Sequence, residues 1–215
     1  MSERIFAIGD IHGCFSMLEK LIDEIPLNPE ADRLVFIGDY IDRGPHSMEV
    51  VDYIIALQDE YRVTCLLGNH EEMLMDYLER PNEETRSLFF LNGGGETARS
   101  YNRRGKGDGK LIDVPEEHQS FFKSLPLWHE TEDYLFVHAG VRPKIPLEKQ
   151  SRADLLWIRT EFIYASHGLG KTVIFGHTPF GAPFMADDKI GIDTGAVYGG
   201  NLTCIELPSR NVYQV

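Results

Sequence analysis

Gly38-Asp39-Tyr40-Ile41-Asp42-Arg43-Gly44 follows directly on Arg33-Leu34-Val35-Phe36-Ile37, and that junction decides the fold. The run before it is short, apolar and partly β-branched, the pattern of a buried strand. The loop after it sets acidic residues beside glycine, which tolerates positive φ and a close backbone approach. The junction recurs four times. Arg4 to Ile8 leads into Gly9-Asp10-Ile11-His12-Gly13, and Arg62 to Leu67 into Gly68-Asn69-His70-Glu71. Asp133 to Val137 leads into His138-Ala139-Gly140, and Thr172 to Phe175 into Gly176-His177-Thr178. In open α/β sheets, sites gather beyond the carboxyl ends of the strands. Residues far apart in sequence are therefore expected to meet at one sheet edge.

The five loops offer Asp10, His12, Asp39, Asn69, His138 and His177, a mixed oxygen and nitrogen set without cysteine. Such a set suits hard or borderline divalent cations. Six ligands exceed one tetrahedral ion but suit two ions with open positions for water and substrate. Two ions roughly 4 Å apart clamp the attacking and leaving oxygens of an in-line phosphoryl displacement. A shared carboxylate lowers their repulsion, and Asp39 is the candidate bridge. Taken singly, an Asp before Gly is a turn former, and Asn69-His70 suits a helix cap. Turn chemistry does not, however, require this order of Asp, His, Asn and Arg.

The pattern GDxHG, GDxxDRG, GNHE, HAG and GH resembles the signature of the metal-dependent phosphoprotein phosphatases, within the calcineurin-like metallophosphoesterases. It spans residues 9 to 177, and the Arg43 ending of the second motif is specific to the phosphatase branch. The resemblance implies an αββα sandwich of two mixed sheets flanked by helices. It implies a first metal on Asp10, His12 and Asp39, and a second on Asn69, His138, His177 and the same Asp39. A water bridging the two cations would lose its proton near neutral pH and attack the phosphate in line. His70 is expected as the general acid for the leaving alkoxide, with Asp42 accepting its hydrogen bond and raising its pKa. Arg43 is expected to fork onto the phosphate. Arg159, in Leu155-Leu156-Trp157-Ile158-Arg159, resembles a second arginine of bacterial members.

The first third reads as alternating strands and helices, with helices over Phe15 to Ile25, Ser47 to Gln58 and Glu71 to Leu78. Residues 82 to 127 form a helical insertion, around Thr85 to Leu91, Glu96 to Tyr101 and Pro115 to Leu125. It contains a basic, Gly-rich loop, Arg103 to Lys110, a candidate contact for an acidic substrate segment. Strands over Pro183 to Ala186, Ile190 to Asp193, Leu202 to Leu207 and Val212 to Val215 are expected to form a mostly antiparallel second sheet.

One domain over 1–215 is the default for 215 residues. The net charge of −13 argues against a nucleic-acid partner. No run approaches membrane-spanning length and no signal core is present, so a cytoplasmic protein is expected. Cys14, Cys65 and Cys204 have no disulfide or zinc-finger spacing. His46, His118, His129 and His167 lie outside the motifs and read as surface or structural residues. Trp128 and Trp157 read as core or cleft wall.

The expected cofactors are two divalent ions, manganese first, with iron or zinc as alternatives. The expected activity is a serine/threonine protein phosphatase, with phosphotyrosine as a further substrate, acting on a phosphoprotein or phosphopeptide. Its alternative is a symmetrical dinucleoside-polyphosphate hydrolase, which shares the motifs and a stretch like Gly191 to Gly200. Those enzymes usually run longer, which favours the phosphoprotein. A non-catalytic scaffold on this fold would be expected to lack Asp42, Arg43 or His70, and all three are present.

Overall fold

The computed structural model describes residues 3–102 and 112–215. The basic loop 103–110 lies outside the described residues, apart from which every segment discussed above can be placed. The chain forms two five-stranded sheets lying against each other. The first has the order β10-β9-β1-β2-β3, the second β4-β5-β6-β8-β7. The strands are β1 (Ile5–Ile8), β2 (Arg33–Phe36), β3 (Arg62–Cys65), β4 (Trp128–Glu130) and β5 (Tyr134–Val137). They continue as β6 (Thr172–Phe175), β7 (Phe184–Met185), β8 (Lys189–Gly191), β9 (Thr203–Leu207) and β10 (Asn211–Gln214).

Side-chain alternation explains why the strand sequences are apolar throughout. Ile5, Ala7, Val35, Ile37, Phe136, Ile174, Ile190, Ile205 and Leu207 fill the layer between the sheets. Their neighbours Phe6, Ile8, Leu34 and Phe36 face the other way, under helices α1 (Phe15–Glu24), α2 (Ser47–Glu60) and α3 (Asn69–Glu79). On the far sheet, Leu135, Val137, Val173 and Phe175 pack beneath α7 (Arg152–Trp157) and α8 (Thr160–Ile163). Both faces of each sheet are thus buried, as uniformly apolar strands require. The result is the expected four-layer sandwich.

The insertion holds α4 (Glu83–Phe89), a wide turn over Phe90–Gly94, α5 (Gly95–Asn102) and α6 (Glu116–Ser124). Asn82 caps α4 by accepting from the amides of Glu84 and Thr85. Helix α3 begins at Asn69, two residues earlier than expected, so Asn69 and His70 sit in its first turn.

The expectation of a mostly antiparallel second sheet is corrected in two ways. That sheet is mixed: β5, β6 and β8 run parallel, with β4 and β7 antiparallel at its edges. The last two strands belong to the first sheet, where β9 pairs antiparallel with β1 through Ile5↔Leu207 and Ile8↔Cys204. Every β9 residue is buried, so its pattern carries no mark of which sheet it joins. Among the described residues no helix is long and apolar enough to cross a membrane.

Candidate metal centre

Three strands of each sheet run parallel and finish at the same edge: β1, β2 and β3, then β5, β6 and β8. The loops that leave them carry Asp10, His12, Asp39, Asp42, Asn69, His70, His138, His177 and Asp193, all buried. The backbone there is bent sharply. Among the described residues seven non-glycine positions have positive φ, and five are His12, Asp39, Asp42, Arg43 and His177. Such conformations cost roughly 1 kcal/mol or more each and concentrate where function imposes them.

Asp39 stands at the centre. Its Oδ2 lies 3.5 Å from His12 Nε2, and its Oδ1 lies 3.4 Å from His138 Nε2. One carboxylate thus addresses two different nitrogen sets. The ligand atoms of His12, Asp39 and His70 lie within 4.8 Å of one another, as do those of Asp39, His138 and His177. Asn69 Oδ1 joins the second set, 2.9 Å from His138 Nε2 and 3.0 Å from His177 Nδ1. Asp10 is beside both sets but in neither, since its carboxylate accepts from the His177 amide at 3.1 Å. On the first side His70 Nε2, 3.9 Å from Asp39 Oδ2, holds the third place in the triad.

The tautomers follow from the hydrogen bonds. His12 Nδ1 donates to the Ile41 carbonyl at 2.7 Å, and His138 Nδ1 to the Ile37 carbonyl at 2.9 Å. Burial lowers the pKa of both, that of His12 to about 3. Each ring is therefore neutral at pH 7 and turns an Nε2 lone pair inward. At His138 that lone pair meets Asn69 Oδ1 and Asp39 Oδ1, acceptor against acceptor. His177 Nε2 is buried without a partner. Burial, then the charges of Asp193 and Asp39, raise the pKa of Asp10. Converging acceptors and crowded carboxylates fit divalent cations, and the donor set is the oxygen and nitrogen one expected.

The remaining expected residues flank this centre. His70 Nδ1 donates to Asp42 Oδ2 at 2.6 Å. Burial presses the His70 pKa down, but Asp39's charge and Asp42's hydrogen bond outweigh it and leave it raised. Arg43 Nη1 lies 2.5 Å from His12 Nε2, with its guanidinium over the exposed Tyr198 ring. Arg159 Nη1 donates to the His177 carbonyl at 2.9 Å and to Thr178 Oγ1 at 3.2 Å. Trp157 is exposed and edges the centre, 5.8 Å from the His177 ring. His118 bonds Tyr101 and Asp52, and His167 bonds the Asp188 carbonyl, so both are structural.

Two participants were not assigned from sequence. The buried Glu71 carboxylate accepts from the amides of Tyr40 (2.8 Å), Asp39 (3.0 Å), Gly68 (3.1 Å) and Ile41 (3.3 Å). It clamps the Asp39 loop to the start of α3. A Cβ on Gly68 would stand 2.2 Å from Asp39 Oδ1, so only glycine allows that approach. Asp193 follows β8 and holds the Gly195 amide at 3.0 Å. Its signal was a sixth strand–Asp–Gly junction, Ile190 to Gly195, one residue looser than the others.

The family model described as calcineurin-like phosphoesterase matches residues 3–207. A serine/threonine-protein phosphatase 1 from Salmonella typhimurium LT2 is 32% identical over 208 residues, covering 94% of this chain and 91% of that protein. An asymmetrical bis(5'-nucleosyl)-tetraphosphatase from Bacillus cereus Q1 is 26% identical, covering 97% and 92%. A crystal structure provisionally described as a diadenosine tetraphosphatase superposes with a TM-score of 0.75 at 23% identity, covering 100% of this chain and 94% of that one. A cold-active protein-tyrosine phosphatase of a psychrophilic Shewanella superposes with a TM-score of 0.63 at 17% identity, covering 100% and 80%. Coverage above nine-tenths of both enzyme relatives removes chain length as a guide to substrate. With the fold, the cation-seeking loops and these likenesses in agreement, the chain belongs to the calcineurin-like phosphoesterase family and is a phosphoester hydrolase.

Proposed function

We propose that residues 1–215 form one catalytic domain that releases phosphate from phosphoserine and phosphothreonine, and also from phosphotyrosine. The observation that carries this is Asp39, one buried carboxylate shared by two imidazole sets, with the His70–Asp42 pair alongside. The similarity to the Salmonella serine/threonine phosphatase supports the substrate class.

Asp10, His12 and Asp39 would hold one cation, and Asn69, His138, His177 and Asp39 the other. Manganese is the proposed metal, and the cytoplasm the proposed compartment. When bound, the cations supply charge neutralisation and a nucleophilic water. The chain's own residues do the rest. Arg43 grips the phosphate from the His12 side and Arg159 from the His177 side, each with several fixed donors. His70 gives its Nε2 proton to the departing alkoxide, a step that typically contributes about 10²–10⁴-fold. Asp42 keeps the other ring nitrogen protonated and so fixes which atom faces the substrate.

Hydrolysis of dinucleoside polyphosphates is the second function with support. The Bacillus relative carries that activity in its name, and the exposed rings of Trp157 and Tyr198 would offer stacking faces to bases. The manganese-loaded protein should be given phosphoserine and phosphothreonine peptides and, separately, diadenosine tetraphosphate. A higher kcat/KM on the peptides is expected. Preference for the nucleotide by more than about 10²-fold, some 2.7 kcal/mol, reverses the assignment.

A further inference from the structure

Asp42 has two carboxylate oxygens, and the dyad with His70 uses one. The other, Oδ1, accepts from Thr97 Oγ1 at 2.6 Å. Thr97 lies 55 residues away on α5, in the helical insertion rather than in any ligand loop. The same Thr97 oxygen receives the Asp42 amide at 2.8 Å and lies 3.0 Å from Ser47 Oγ, which itself receives that amide at 3.1 Å. A hydroxyl has a single proton. Thr97 spends its proton on Asp42 Oδ1, so Ser47 donates to Thr97. Asp42, Ser47 and Thr97 are each fully buried, and His70 nearly so. Water has no access to replace a lost partner.

From this geometry we infer that Thr97 is a positioning residue for leaving-group protonation, acting through Asp42 on His70. Held at one oxygen only, the Asp42 carboxylate would rotate about its terminal torsion, and the His70 ring would rotate with it. Held at both, it fixes the ring plane and so the direction in which Nε2 delivers its proton. The insertion also holds the residue that follows Asp42, where the Arg43 amide donates to the Gly93 carbonyl at 3.1 Å. Gly93 has φ 105°, and a Cβ there would stand 2.7 Å from Arg43 Cγ. The insertion thus supplies the back wall of the acid site. The inference rests on the general-acid role proposed for His70.

The test uses the manganese-loaded protein and two substrates that differ in leaving group. 4-Nitrophenyl phosphate releases a stable phenolate that needs little protonation, whereas a phosphoserine peptide releases an alkoxide that needs it. Thr97→Val removes the hydroxyl at nearly constant shape. It should lower kcat about tenfold on the phosphoserine peptide, a fraction of the general-acid contribution. On 4-nitrophenyl phosphate the loss should stay under about twofold, with KM unchanged on both. Thr97→Ser restores the hydroxyl and should bring both rates back.

A readout independent of turnover, taken on the protein loaded with diamagnetic zinc in place of manganese, is the downfield proton resonance of the short His70 Nδ1–H···Asp42 bond, which should move or broaden in Thr97→Val and return in Thr97→Ser. Equal losses on the two substrates, or no rescue by serine, overturns the role of Thr97. His70→Asn separates the two levels. If it too loses equally on both substrates, the acid assignment itself fails. If it discriminates and Thr97→Val does not, only Thr97 is excluded. Should the valine variant fold poorly, Thr97→Ala paired with the serine variant reads the same contrast.

Discussion

Asp39 and His70 are joined by a hydrogen bond, the His70 amide donating to Asp39 Oδ1 at 3.2 Å, yet their side chains serve different ends. Asp39 spans two clusters of acceptors; His70 stands ready with a proton. The two substitutions should therefore separate. His70→Asn is expected to keep two manganese ions per chain by elemental analysis while kcat on an alkyl phosphate falls about 10²–10⁴-fold. Asp39→Asn should lose the metal itself. Full turnover by His70→Asn would end its role as acid. The convergence of the candidate ligands was legible in the sequence because metal binding restricts residue types, and each stood at a strand end. Thr97 was not, because its part is defined by the second oxygen of Asp42, and no local pattern announces a partner 55 residues away. Glu71 was visible inside a motif, but its task, satisfying amides of another loop, exists only after folding.

Elements are joined across the first sheet by Glu206 on β9. Its carboxylate accepts from Asn211 Nδ2 at 3.0 Å, Tyr213 Oη at 2.9 Å and Arg4 Nη1 at 3.4 Å, tying β10 and the residue before β1 to one point. Burial alone would raise its pKa, but these partners outweigh it and hold it below the usual value. A depressed folded pKa favours the native state above the unfolded pKa of about 4.3 and ceases to do so as pH falls through the folded value. Glu206→Gln should accordingly lower the melting temperature at pH 7. The gap to the unsubstituted protein should close below about pH 4 in a pH series of thermal melts; a gap that persists there would exclude the linkage. Strands such as Thr172–Phe175 were readable from their apolar runs. The sheet each late strand joined was not. With both faces buried, β8 and β9 look alike in sequence, and pairing with β1 is settled by register across the whole chain.

At the scale of the molecule, the candidate metal centre lies where the two sheets end together, so ion binding there would be linked to folding. An ion that binds only the folded chain adds about 2.7 kcal/mol at a concentration one hundred times its dissociation constant. In a domain of this size that is roughly 5–10 °C of melting temperature. Stripping with a chelator should lower the transition by that order, and manganese should restore it in calorimetry. An unchanged transition would mean that the centre does not hold metal under those conditions. The layered architecture was legible from alternating strand and helix; the spacing between the layers was not, since it depends on how facing side chains interlock. That spacing has a consequence for the chemistry. His12 and Asn69 ride on one sheet, His138 and His177 on the other, and Ala7 with Val35, Phe136 and Ile174 lies between. This apolar filling is the shim that sets how far apart the two sheets hold these side chains. Thickening it by a few methylenes would spread the ligands apart without altering any of them.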